Sequence, residues 1–82
     1  MKLTLFTDYS FRLLMQATAF DPQLITIPQA AQSYNISRHH LTKIANELVR
    51  GGFLTAVRGR NGGLKLARPA TSINVADVVR FC

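Results

Sequence analysis

The sequence predicts a mainly α-helical domain with a small β-hairpin, a winged helix-turn-helix, and three observations carry that prediction. Two capped helical segments joined by a short turn lie within 26–50, a glycine-rich loop flanked by apolar and basic residues follows within 53–67, and the chain has only 82 residues. That length suits one domain over 1–82 and not two, because independent domains need about 50 residues or more. An apolar fraction of 48% favours folding, since a disordered chain lacks the side chains whose burial offsets the entropy of ordering.

Thr7 is the candidate N-cap of a first helix. Its apolar positions Leu13, Leu14, Ala17 and Phe20, with Phe6 and Tyr9 near the start, recur at the three-to-four-residue spacing of a buried face, and the helix should end near Asp21-Pro22. Thr26 and Gln29 have the form of a capping box, and Pro28 falls in the first turn, where a missing amide hydrogen does no harm. This second helix carries Ala30, Ala31 and Tyr34 and stops at Asn35, which tolerates the left-handed conformation. Ile36 fills the turn and Ser37 caps a third helix. There Leu41, Ile44, Ala45, Leu48 and Val49 keep the i, i+3, i+4, i+7, i+8 pattern until Gly51-Gly52.

Phe53 to Val57 is rich in aromatic and β-branched residues, and Leu64 to Ala67 alternates apolar with basic, so the two read as paired strands. Asn61-Gly62 in the intervening loop is a strong hairpin signal and predicts a tight turn with both residues at positive φ. Pro69 ends the second strand. Asn74 with Asp77 caps a last helix whose Val75, Val78, Val79 and Phe81 are still apolar at the end of the chain. That helix is expected to be truncated or to meet a partner chain.

Ten Lys and Arg against four Asp and Glu give a net charge of +6, although only 17% of residues are charged. An anionic partner follows, and nucleic acid and acidic membrane both meet that description. No apolar run approaches the roughly 18 residues of a membrane span and the start lacks a signal-peptide core, so a cytoplasmic protein with no membrane partner is expected. The single cysteine, Cys82, excludes an internal disulfide and any four-cysteine metal site built by this chain alone.

No enzyme is expected. Ser37, His40 and Asp77 lack a nucleophile elbow, and the 59–63 loop lacks the Gly-Lys-Ser/Thr ending of a phosphate-binding loop. His39 and His40 point about 100° apart on a helix, so they cannot share a metal.

A helix-turn-helix lays its second helix in the major groove of DNA. Here that helix presents Ser37, Arg38, His39, His40, Lys43 and Asn46 on its N-terminal and outer face. Arg can bond guanine through two hydrogen bonds, Asn can do so for adenine, and the helix N-terminus favours a phosphate. A basic helix alone could equally be a solvated face. The wing supplies a second basic element: Arg58, Gly59, Arg60, Asn61, Gly62 and Gly63, with Lys65 and Arg68 behind them, form a narrow loop able to enter a minor groove or track phosphates. Double-stranded DNA is therefore the expected partner. The alternative is a protein-interaction module or a truncated paralogue that pairs with full-length subunits, which the apolar last helix favours.

Phe6-Thr7-Asp8-Tyr9, Ile36-Ser37-Arg38 with Leu41-Thr42-Lys43-Ile44, and above all Val57-Arg58-Gly59-Arg60-Asn61-Gly62-Gly63-Leu64-Lys65-Leu66 resemble the bacterial repressor family that includes the nitric-oxide sensor NsrR and the iron–sulfur regulator IscR. The NsrR-like members are the nearest in pattern. The resemblance implies a homodimeric repressor acting on paired half-sites, with this chain as its DNA-binding domain, and a full-length form that responds to nitric oxide or iron–sulfur status. It also implies a three-cysteine cluster loop and a long dimerisation helix beyond the last helix. The sequence contains neither, so no cluster is expected for these 82 residues alone and dimerisation is expected to be weak or absent. Asp8 matches the place of a non-cysteine ligand to a cluster held by the partner subunit of a full-length dimer, whereas the residues alone read it as a first-turn acid favoured by the helix dipole. No ligand role passes to Cys82.

Overall fold

Seven elements make up the computed structural model, which describes residues 3–81; Met1, Lys2, Cys82 and the side chains of Leu3, Thr4 and Val75 lie outside the described residues. Helix α1 is Leu3–Phe20, α2 Ile27–Tyr34 and α3 Arg38–Arg50; strands β1, Leu54–Val57, and β2, Gly63–Leu66, form an antiparallel hairpin. A single 3₁₀ turn, Ala70–Ser72, leads to α4, Val75–Phe81. This is the mainly helical winged-helix architecture with one two-stranded sheet.

The caps at Thr26, Asn35, Ser37 and Asn74 form as the sequence dictates. Thr26 Oγ1 accepts from the Gln29 N–H at 3.2 Å while Gln29 Oε1 accepts from the Thr26 N–H at 3.0 Å, closing the capping box. Asn35 adopts φ 56°, ψ 48°, which ends α2 and turns the chain within three residues into α3. Ser37 Oγ accepts from the His40 N–H at 3.1 Å, starting that helix. Leu41, Ile44, Ala45 and Leu48 on one side of α3 are buried with Leu13, Leu14 and Ala17 of α1 in a single cluster. Asn74 Oδ1 accepts from the Asp77 N–H at 2.8 Å, and Val78 seats α4 on the same core.

Three expectations are corrected. Thr7 does not cap α1, which is already helical at Leu3. The core-facing stripe starts at Phe6, before the threonine, so packing carries the helix through it. Phe20 is 39% exposed rather than buried, at the last residue of α1 where the chain turns away.

The third correction concerns the wing. Asn61 and Gly62 do not form a two-residue turn; the positive-φ residue of the loop is Gly59, at 109°, and its carbonyl accepts from the Gly62 N–H at 3.0 Å. Val57 pairs with Gly63 and Leu54 with Leu66, leaving a five-residue loop, Arg58 to Gly62. A turn at Asn61-Gly62 would shift the register by three residues and so exchange the faces of one strand. Lys65 would then share the core face with Leu54 in place of Leu64 and Leu66. Burial of the leucines decides the register against the local turn signal.

The wing is also tied to the body. Ile25, in the α1–α2 connection, donates its N–H to the Leu64 carbonyl at 2.9 Å and accepts from the Leu64 N–H at 2.7 Å, a bridge that extends the hairpin by one residue of a third strand.

Candidate nucleic-acid interface

With its apolar side spent on the core, α3 turns the opposite side outward. Ser37, Arg38, His39, His40, Lys43 and Asn46 are all exposed, so the face read from the sequence is assembled on one helix. The Ser37 oxygen is occupied by the cap bond from the His40 N–H. The His39 and His40 rings diverge, their centroids 6.2 Å apart and tilted by 43°, and both side chains are exposed.

At the wing, Arg58, Gly59, Arg60, Asn61 and Lys65 are exposed, while Gly62 and Gly63 are half-buried at its base. Those two glycines are enforced by space. A Cβ on Gly62 would collide with the Val57 carbonyl, and one on Gly63 would come within 2.5 Å of the Ile25 carbonyl. They hold the loop; the arginines decorate it.

The distribution of charge is the informative feature. Three of the four acids are bound to an arginine on their own helix: Asp8 to Arg12 at 3.2 Å, Glu47 to Arg50 at 3.4 Å and Asp77 to Arg80 at 3.1 Å. Such exposed pairs add little stability, yet they neutralise the flanks. Among the described residues, the cations left without an acidic partner are Arg38 and Lys43 on α3, Arg58, Arg60 and Lys65 on the wing, and Arg68 behind it. The whole molecule measures 34 × 28 × 20 Å, so its longest dimension matches one turn of duplex DNA.

One residue of the α3 face escaped the sequence reading, and two others take different places from those expected. Thr42 is exposed one turn beyond Arg38, and its hydroxyl donates to the Arg38 carbonyl at 2.7 Å. Its spacing from His39 and Asn46 was the available signal. Arg68, counted from sequence as a wing cation, is instead half-buried with its guanidinium over the Phe53 ring. Asp8 stands in the second turn of α1, not the first, and is held by Arg12.

Residues 3–82 match the family Rrf2, described as an iron-dependent transcriptional regulator. Among solved structures, CymR, the global cysteine regulator of B. subtilis, superposes with a TM-score of 0.86 at 23% identity, over 93% of this chain and 60% of that one. Staphylococcus aureus CymR gives a TM-score of 0.84 at 27% identity, over 94% and 64% of the two chains. T. potens IscR gives 0.85 at 25%, over 93% and 56%. The chain thus spans about three-fifths of the length of these relatives. With the helix-turn-helix, the wing and the match over nearly every residue in agreement, the chain belongs to the Rrf2 family of DNA-binding transcriptional regulators.

Proposed function

We propose that the chain is the sequence-reading part of an Rrf2-family repressor, with α3 in the major groove and the wing against the adjacent minor groove or its phosphates. The observation that carries this reading is the placement of unpaired cations: three of the four acids are drawn off by Arg12, Arg50 and Arg80, and among the described residues five of the six cations left over sit on α3 and the wing. Arg38 and Asn46 supply the side chains that bond guanine and adenine edges, with His39, His40 and Lys43 around them. Arg58, Arg60 and Lys65 supply phosphate or minor-groove contacts that fix the register.

The intact protein, on this reading, is a cytoplasmic homodimer on paired half-sites whose signal is nitric oxide or iron–sulfur status, as the resemblance to NsrR-like members suggests. IscR among the structural neighbours supports the iron–sulfur part, whereas CymR of B. subtilis is a global cysteine regulator. The described residues do not by themselves suit a cluster. No three of their His, Cys, Asp and Glu side chains come together, and the Asp8 carboxylate is engaged by Arg12. A ligand role for Asp8 in a longer, cluster-bearing dimer requires that pair to open. DNA reading by α3 and the wing needs no step through a cluster.

A mobility shift on an inverted-repeat, A·T-rich operator and on scrambled DNA, at two salt concentrations, tests the proposal. Arg38→Ala is expected to cost about 1–3 kcal/mol on the operator and to narrow its advantage over scrambled DNA. Arg60→Ala should weaken both DNAs alike and lower the salt slope by about one. Unchanged affinity in both variants would contradict the assignment.

A further inference from the structure

Arg68 is the remaining described cation without an acidic partner, and its surroundings are not those of a phosphate ligand. Its guanidinium carbon stands 5.0 Å from the centroid of the Phe53 ring, and its Nε is buried with no hydrogen-bond partner. A buried polar group is costly unless something replaces its water; here the ring face attracts the cation. Phe53 is 3% exposed, and the ring of Phe81 meets it edge-on, with centroids 5.5 Å apart and planes at 60°.

Phe81 has a second neighbour. A Cβ on Gly51 would lie 2.7 Å from the Phe81 ring, although the Gly51 backbone, at φ −77° and ψ −5°, suits any residue. A side chain there would have to displace the ring, not the backbone. The Phe53 backbone completes the junction: its N–H donates to the Leu48 carbonyl of α3 at 2.9 Å, and its carbonyl accepts from the Ala67 N–H, just past β2, at 3.0 Å. One residue therefore joins the end of α3, both strands of the wing and α4.

We infer that Phe53, gripped between Arg68 and Phe81, sets the orientation of the wing relative to α3, and that α4 holds this joint through Phe81. Arg68 is then a positioning residue and not a phosphate contact. The functional part of the inference rests on the reading that α3 and the wing both meet DNA.

Two variants separate the roles. Arg68→Lys keeps the charge and loses the planar stack; Arg68→Met loses both. As positioning variants, each lowers operator affinity by about fivefold, with the salt slope nearly unchanged. A phosphate contact gives the opposite pattern, a Lys variant close to wild type and a Met variant whose slope falls by about one, and that result would overturn the inference. Residual dipolar couplings measured on the free protein test the joint without DNA. Arg68→Lys should rotate the Val57–Leu64 amides against α3, and an unrotated wing contradicts the joint whether or not the protein binds DNA. For α4, Gly51→Ala should lower operator affinity in the wild-type background and be silent when added to Phe81→Ala, because the ring it displaces is gone. Simple additivity of the two changes would remove α4 from the account.

Discussion

Leu48→Ala is expected to destabilise the domain by about 2–5 kcal/mol, the range for removing a fully buried leucine and leaving a cavity. Leu48 has 0% exposure and lies in the cluster that joins α3 to α1 and to Phe53. Single domains have only roughly 5–15 kcal/mol in all, so the loss takes a large share. A urea melt followed by circular dichroism should show a much lower midpoint at an unchanged slope. Lys43→Ala, on the opposite face of the same helix, should stay within about 0.5 kcal/mol of wild type while weakening DNA binding. If the two variants melted alike, the division of α3 into a packing side and a reading side would be wrong.

Gly63→Ala should cost about 2–4 kcal/mol. The new methyl would lie 2.5 Å from the Ile25 carbonyl and 3.0 Å from Leu24 Cβ, both in the α1–α2 connection, where Ile25 bridges to Leu64. Relief requires that the wing move from the body, which weakens the two Ile25–Leu64 backbone bonds and loosens two buried side chains. Overpacking costs about 1–3 kcal/mol and each lost bond about 1 kcal/mol, not wholly additively. Amide exchange at Ile25 and Leu64 should quicken more than exchange in α2. Protection at Leu64 equal to that of the wild type would show that the wing is not anchored there. Gly59→Ala, by contrast, meets open space and bears only the strain of φ 109°.

The contrast between these glycines shows what the sequence could and could not disclose. The capping box at Thr26 and Gln29, the left-handed stop at Asn35 and the Ser37 cap were legible because each is decided within four residues. The exposed face of α3 was legible too, since helical periodicity sorts Leu41, Ile44, Ala45 and Leu48 from His39, Lys43 and Asn46 without knowledge of neighbours. Register in the hairpin is a non-local matter. Asn61-Gly62 is a strong local signal, and it lost to the burial of Leu54, Leu64 and Leu66 and to the Ile25 bridge, 39 residues before Leu64. Arg68 misled for the same reason: nothing in its own stretch of sequence announces that Phe53 waits beneath it. Thr7 failed as a cap because packing of Phe6 and Tyr9 extends α1 beyond a residue type that would otherwise start a helix. Of the candidate interface, the residue types and their common face came from sequence, whereas the neutralised flanks emerged only once Arg12, Arg50 and Arg80 were seen on their acids.

The most direct test of the central claim is a titration of the isotopically labelled chain with an operator half-site duplex, following backbone amide resonances. The account predicts that signals from Ser37 to Asn46 and from Arg58 to Lys65 move together and saturate at one DNA concentration, with α2 beyond its first turn unaffected. Movement confined to the exposed sides of α1 and α4, around Met15 and Val79, with α3 and the wing silent, would contradict it.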